Sequence, residues 1–161
     1  MLLFKSTPRR LFILGAVSAC GFTPVVSNTG YRELWGKVEL PEVTDDVSFA
    51  IRQTLVKYFG ETQKAQFKLE LEYNDSTKQL AITQNNEATR YRVVANGRFK
   101  AYRIGQSEPI LDQSFKRIAS YSANNNKFAA DEAKRTAQKR LAQSLAEDFA
   151  VRFLAATNKQ A

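Results

Sequence analysis

Residues 90–104, RYRVVANGRFKAYRI, alternate with a period of two. Tyr91, Val93, Ala95, Gly97, Phe99 and Ala101 fall on one side, while Arg90, Arg92, Val94, Asn96, Arg98, Lys100 and Tyr102 fall on the other. Successive side chains of a strand point to opposite faces. The apolar and small series must therefore be covered, and the series with four cations is left facing outward. A chain built around such a strand needs a sheet with one buried face and something amphipathic to lie on it.

Other segments supply both. Phe67, Leu69, Leu71 and Tyr73 alternate with Lys68, Glu70 and Glu72, the pattern of a half-buried antiparallel strand. Asn74-Asp75-Ser76-Thr77 has turn chemistry and is expected to end it, with a weaker strand over Leu80–Thr83 and a polar loop at 84–88. After a turn at Gly105–Pro109, a further long strand spans Ile110–Tyr121 and places Lys116 and Arg117 on opposite faces. Upstream, Leu34–Leu40 reads as a short first strand with Trp35 and Val38 in the core, weakened by Gly36 and stopped by Pro41.

The covering elements are two helices. Residues 45–59 carry Val47, Ile51, Leu55 and Phe59 on one stripe, with Asp45 or Thr44 as cap, Asp46 at the positive end and Gly60 beyond the last turn. Asn124-Asn125-Asn126 breaks the sheet and offers a cap for a second helix from about Lys127 to Ala155. Ala130, Ala133, Ala137, Leu141, Leu145 and Phe149 form its stripe, and Lys134, Arg135, Gln138 and Lys139 its opposite face. The expected fold is a single α+β domain over 34–156, a two-layer sandwich of a mostly antiparallel β-sheet with two α-helices on one face. Residues 157–161 read as a disordered tail.

The N-terminus has another logic. Lys5, Arg9 and Arg10 precede an apolar run from Leu11 to Val17, and small residues then lead to Cys20, the only cysteine. That run has the length of a secretory signal and falls well short of the roughly 20 apolar residues of a membrane span. With Ala19 immediately before Cys20, the pattern resembles a bacterial lipoprotein precursor. The resemblance implies cleavage after residue 19, acylation of the Cys20 thiol and amine, and residues 20–33 as lipidated N-terminus and tether. Several acyl chains on one residue hold a protein on a membrane where a single chain does so only marginally. Gly21 stands where inner-membrane-retained lipoproteins carry aspartate, which implies the outer membrane.

Composition bounds the function. The chain carries a net charge of +8, three of it in the expected signal, so the remainder keeps +5 and suits an anionic partner. Export argues against nucleic acid. Histidine is absent, which excludes Ser-His-Asp triads, Cys-His pairs and the usual zinc sites. Neither a Ser-Lys dyad nor a carboxylate pair shows a recognisable spacing, so no catalytic residue, metal or cofactor is expected and the chain reads as a non-enzyme.

Taken in order, several short stretches carry a more specific likeness. They are the Cys20-Gly21-Phe22-Thr23-Pro24 opening, the capped helix ending at Gly60, Ala81-Ile82-Thr83, Thr89-Arg90-Tyr91, and Tyr121-Ser122 before an Ala-rich final helix. Together they resemble the lipopolysaccharide-assembly lipoprotein family LptE in its alphaproteobacterial form. The resemblance implies a non-catalytic plug inside the outer-membrane β-barrel LptD that helps assemble the barrel and pass lipopolysaccharide outward. A barrel lumen is polar and the glycolipid is phosphorylated, so basic side chains are the expected contacts. Arg90, Arg92, Arg98 and Lys100 are the leading candidates, with Lys116 and Lys127 behind them. The bland alternative is a solvated face, or one paired with Glu70 and Glu72 of a neighbouring strand. Better-studied members place glycolipid-contacting cations in a strand-connecting loop and near the last helix, but the loop here, Gln84-Asn85-Asn86, has none, so that site is not transferred. Two readings from other classes are an auxiliary lipoprotein of an ABC-type lipid-transport complex and a cell-wall hydrolase, the latter disfavoured by the missing catalytic groups.

Overall fold

The computed structural model describes residues 30–82, 88–123 and 126–158. Cys20, the expected signal, most of the tether and the loop at 84–87 lie outside the described residues. Seven elements follow in order: α1 (Gly30–Leu34), β1 (Val38–Glu39), α2 (Asp46–Phe59), β2 (Phe67–Ile82), β3 (Ala88–Arg103), β4 (Pro109–Ser122) and α3 (Lys127–Asn158). The four strands form one sheet in the order β1-β2-β3-β4. β1 runs parallel to β2, and the two other pairings are antiparallel, so the sheet is mixed. The helices pack on one side of it, giving the α+β architecture expected from the periodicities.

Aromatic rings tie the layers together. Phe99 of β3 stacks on Phe149 of α3 at 4.8 Å, and Phe149 stacks on Phe153 at 5.6 Å. Phe153 meets Phe59 of α2 and Phe67 of β2 edge-on at 5.6 and 5.5 Å. Each such pair contributes about 0.5–1.5 kcal/mol beyond the area it buries. Buried Ala142, Ala146 and Ala150 keep α3 close to its neighbours. α2 starts on a capping box: Asp45 Oδ1 accepts from the Ser48 backbone N–H at 2.7 Å, and Ser48 Oγ accepts from Asp45 N–H at 2.9 Å. It ends at Gly60, whose φ of 72° and ψ of 177° lie in a region open essentially to glycine alone.

Three local expectations are corrected. Asn74–Thr77 does not turn, because β2 runs unbroken to Ile82. Two of its turn-forming side chains find partners across the fold instead: Asn96 Nδ2 donates to Asn74 Oδ1 at 3.2 Å, and Gln138 Nε2 donates to Asp75 Oδ2 at 2.8 Å. Tertiary pairing overrides local propensity here. The first strand shrinks to Val38–Glu39, since Leu34 ends α1 and Gly36 turns at φ 71°. Val38 is buried as expected, but Trp35 is 52% exposed. Finally, α3 runs on to Asn158, so Thr157 and Asn158 belong to the helix and not to a tail. Thr157 Oγ1 is bonded to the Phe153 and Leu154 carbonyls at 3.1 Å.

Candidate functional site

With both helices on one side, the other face of the sheet is open. Val93, Ala95, Gly97, Phe99 and Ala101 are all buried, while Arg90, Arg92, Asn96 and Arg98 are exposed. The outward series of β3 is joined by Lys68, Glu70, Glu72, Asn74, Ser76 and Lys78 of β2, opposite Tyr102, Lys100, Arg98, Asn96, Val94 and Arg92. From β4 come Asp112, Ser114, Lys116, Ile118, Ser120 and Ser122, opposite Lys100 down to Arg90.

Charge is not spread evenly over this face. At the end near Arg103 stand Lys68, Arg98 and Lys100 with Glu70, Glu72 and Asp112, three of each sign. Arg98 grips Asp112 with two bonds, Nε to Oδ1 at 2.8 Å and Nη2 to Oδ2 at 2.6 Å. That bidentate pair holds the Asp112 carboxyl below its ordinary range and lifts the guanidinium further above its own. Lys100 Nζ lies 3.5 Å from Glu72, and Lys68 Nζ 3.4 Å from Glu70. This half is neutralised internally.

The other half, toward Ala88 and Ser122, carries Lys78, Arg90, Arg92 and Lys116 with no carboxylate among the described residues of the face. None of the four has an ion-pair partner among the described residues. Their neighbours are Ser76, Val94, Asn96, Ile118, Ser120 and Ser122, which supply hydroxyls, an amide and apolar surface. A shallow depression of about 300 Å³, lined in part by Glu72, Asn74, Asn96, Arg98 and Lys116, marks where the two halves meet.

The structure therefore divides the six candidate cations. Arg90, Arg92 and Lys116 stay together on the open half-face, whereas Arg98 and Lys100 are paired with carboxylates, as the bland alternative holds. Lys127 opens α3 and is off the sheet face. Lys78 was missed. It sits opposite Arg92 in register, and its face could be assigned only once β2 was known to run through Asn74–Thr77. Elsewhere cations are committed to the fold: Arg117 pairs with Asp148, Lys139 with Asp46 at 3.1 Å, and Arg152 lies over the Phe115 ring at 5.5 Å. Among the described residues no cluster of His, Cys, Asp or Glu is arranged to hold a metal, and no helix is long and apolar enough to cross a membrane.

No protein-family model matches the chain, and no curated protein matches it in sequence. Solved structures do match in shape. A Caulobacter crescentus CB15 protein assigned to the lipoproteins superposes with a TM-score of 0.65 at 16% identity, over 82% of this chain and 98% of that one. The fold is shared with bacterial lipoproteins. Rare lipoprotein B of Shewanella oneidensis follows at a TM-score of 0.58 and 13% identity, covering 77% of this chain and 96% of its own. A minor lipoprotein of Acinetobacter baumannii gives 0.55 and 17%, over 74% and 89%. At these identities the likeness is one of fold.

Proposed function

We propose that this chain is an outer-membrane lipoprotein of the LptE type, anchored through acyl chains on Cys20. In this reading it serves without catalysis as the plug and assembly partner of an LptD-like β-barrel that delivers lipopolysaccharide to the outer leaflet. The observation that carries the reading is the fold, which recurs over nearly the full length of proteins named as lipoproteins. The basic run, apolar run and Ala19-Cys20 junction support it independently. The open sheet face suits the role: a polar, charged surface is what a barrel lumen accommodates. Lys78, Arg90, Arg92 and Lys116 are the cations left for the phosphates and acidic sugars of the glycolipid, and they make the anion-contacting set.

Depletion of the protein in its own cells tests this. Correctly folded barrel and surface lipopolysaccharide should both fall. Unchanged levels of both, with altered phospholipid distribution instead, would favour the auxiliary lipoprotein of a lipid transporter.

A further inference from the structure

The end of the domain opposite the basic half-face has its own character. α1 packs against α2 and α3 there and leads through Trp35 to Lys37. Gly36 N–H donates to the Phe59 carbonyl at 2.7 Å, and Gln63 and Lys64 N–H donate to the Gly36 carbonyl at 2.7 and 2.9 Å. Gln66 N–H reaches the Lys37 carbonyl at 2.7 Å, and Ile104 N–H reaches Gln66 at 2.9 Å. Gly36–Lys37, Gln63–Gln66 and Ile104 thus form one hydrogen-bonded backbone platform.

Two large apolar side chains stand out from it. Trp35 is 52% exposed and Ile104 51%. One face of the indole is fixed: a Cβ on Gly60 would lie 2.6 Å from Trp35 Cε2, so the ring rests directly on that glycine. Lys37 follows the Gly36 turn, Lys64 N–H is bonded to the Gly36 carbonyl, Arg103 precedes Ile104 and lies over the Phe67 ring at 5.6 Å, and Arg32 and Lys57 belong to α1 and the last turn of α2. Against these stand Glu33 and Glu108, while Glu61 is held by Arg52 at 2.9 Å. A half-exposed indole on an end rich in basic residues is the chemistry of a lipid headgroup interface, where an amphipathic ring sits at the polar boundary and basic groups meet phosphates.

We infer that the Trp35–Ile104 end docks on the bilayer that holds the acyl chains of Cys20, with anionic phospholipid as its ligand. The inference rests on the lipoprotein reading above. Gly30 lies ten positions after Cys20, and a chain spans at most about 3.3–3.6 Å per residue. The tether therefore keeps this end within about 35 Å of the membrane. Arg92 lies eleven residues along β3 from Arg103, about 36 Å at strand rise. Several acyl chains already hold the protein on the membrane, so the basic, aromatic contact sets the orientation of the domain and not its retention.

Trp35 is the chain's only tryptophan, so its fluorescence reads the contact directly. The acylated protein is reconstituted into vesicles of phosphatidylcholine and phosphatidylglycerol, with and without bromine on the lipid chains. Expected are a blue-shifted emission and its loss in the brominated vesicles, both diminished in phosphatidylcholine alone or at high salt. Lys57→Glu with Lys64→Glu should restore most of the emission while the protein stays vesicle-bound. Acylated, vesicle-bound protein whose Trp35 emits as in water overturns the docking. Quenching that ignores lipid charge and salt overturns the basic contribution. Protein without an acyl mass that stays in solution overturns the anchoring itself, and the docking with it.

Discussion

Arg98 on β3 and Asp112 on β4 clasp each other in a two-bond ion pair across adjacent strands. The consequence is functional as much as structural, since a guanidinium whose charge and Nε–Nη2 edge are taken by a carboxylate attracts an outside phosphate less than an unpaired one does. The pair, with Lys100–Glu72, splits the open face into a neutral and a basic half.

Binding should follow that split. Lys78→Glu, Arg90→Glu and Arg92→Glu together should weaken lipopolysaccharide binding to the purified protein by roughly tenfold or more, because charge-assisted bonds are worth about 1.5–3 kcal/mol each. Arg98→Gln with Asp112→Asn should leave binding nearly unchanged. Equal losses in both variants, by the same titration, would show that the pair opens to the ligand.

Much of this was legible in the sequence. The period of two in Phe67–Tyr73 and Arg90–Ile104 gave the faces correctly, and Asp45 and Gly60 marked the ends of α2 where they stand. What failed was local chemistry overruled at long range. Asn74–Thr77 looks like a turn until Asn96 and Gln138 are seen to receive its side chains. Trp35 looks like core until Gly60 is seen to accept only one of its faces. Which cations are free was unreadable for the same reason, because Asp112 lies fourteen residues from Arg98 and only the β3–β4 register brings them together.

Acid should loosen the fold through two carboxylates. Arg98 lowers the Asp112 carboxyl, and the Ser48 backbone and hydroxyl lower that of Asp45. A group whose folded value is depressed contributes stability above its unfolded value, near 4, and loses it as pH falls through the folded one. Thermal unfolding from pH 7 to pH 2 should show Tm dropping below about pH 4. Asp45→Asn with Asp112→Asn keeps the cap and flattens that limb, and an unaltered limb would assign the acid sensitivity to other groups.

Gly60→Ala should destabilise by about 1–3 kcal/mol, since its φ and ψ are strained for any residue with a Cβ. The added carbon also meets Trp35. Chemical denaturation measures the loss, and a shifted Trp35 emission in the folded variant reports the displaced ring. A loss under half a kilocalorie with unmoved fluorescence would contradict the geometry.

Leu145 is fully buried under β3, with its Cδ1 3.4 Å from where a Gly97 Cβ would stand. Leu145→Ala should cost about 2–5 kcal/mol in equilibrium unfolding. A negligible loss would mean that α3 packs by another face.

Replacement of Cys20 addresses the proposed anchor. Cys20→Ala should accumulate as a precursor of full length in the inner-membrane fraction. Normal cleavage and outer-membrane sorting of that variant, seen by mass and by fractionation, would contradict the signal reading.

The most direct trial of the proposal is what accompanies the native protein out of gently solubilised outer membranes. Expected is one large β-barrel, LptD-like, in equal molar amount and stable through gel filtration. Recovery of the acylated protein alone, or with the subunits of an inner-membrane transporter in its place, would contradict it.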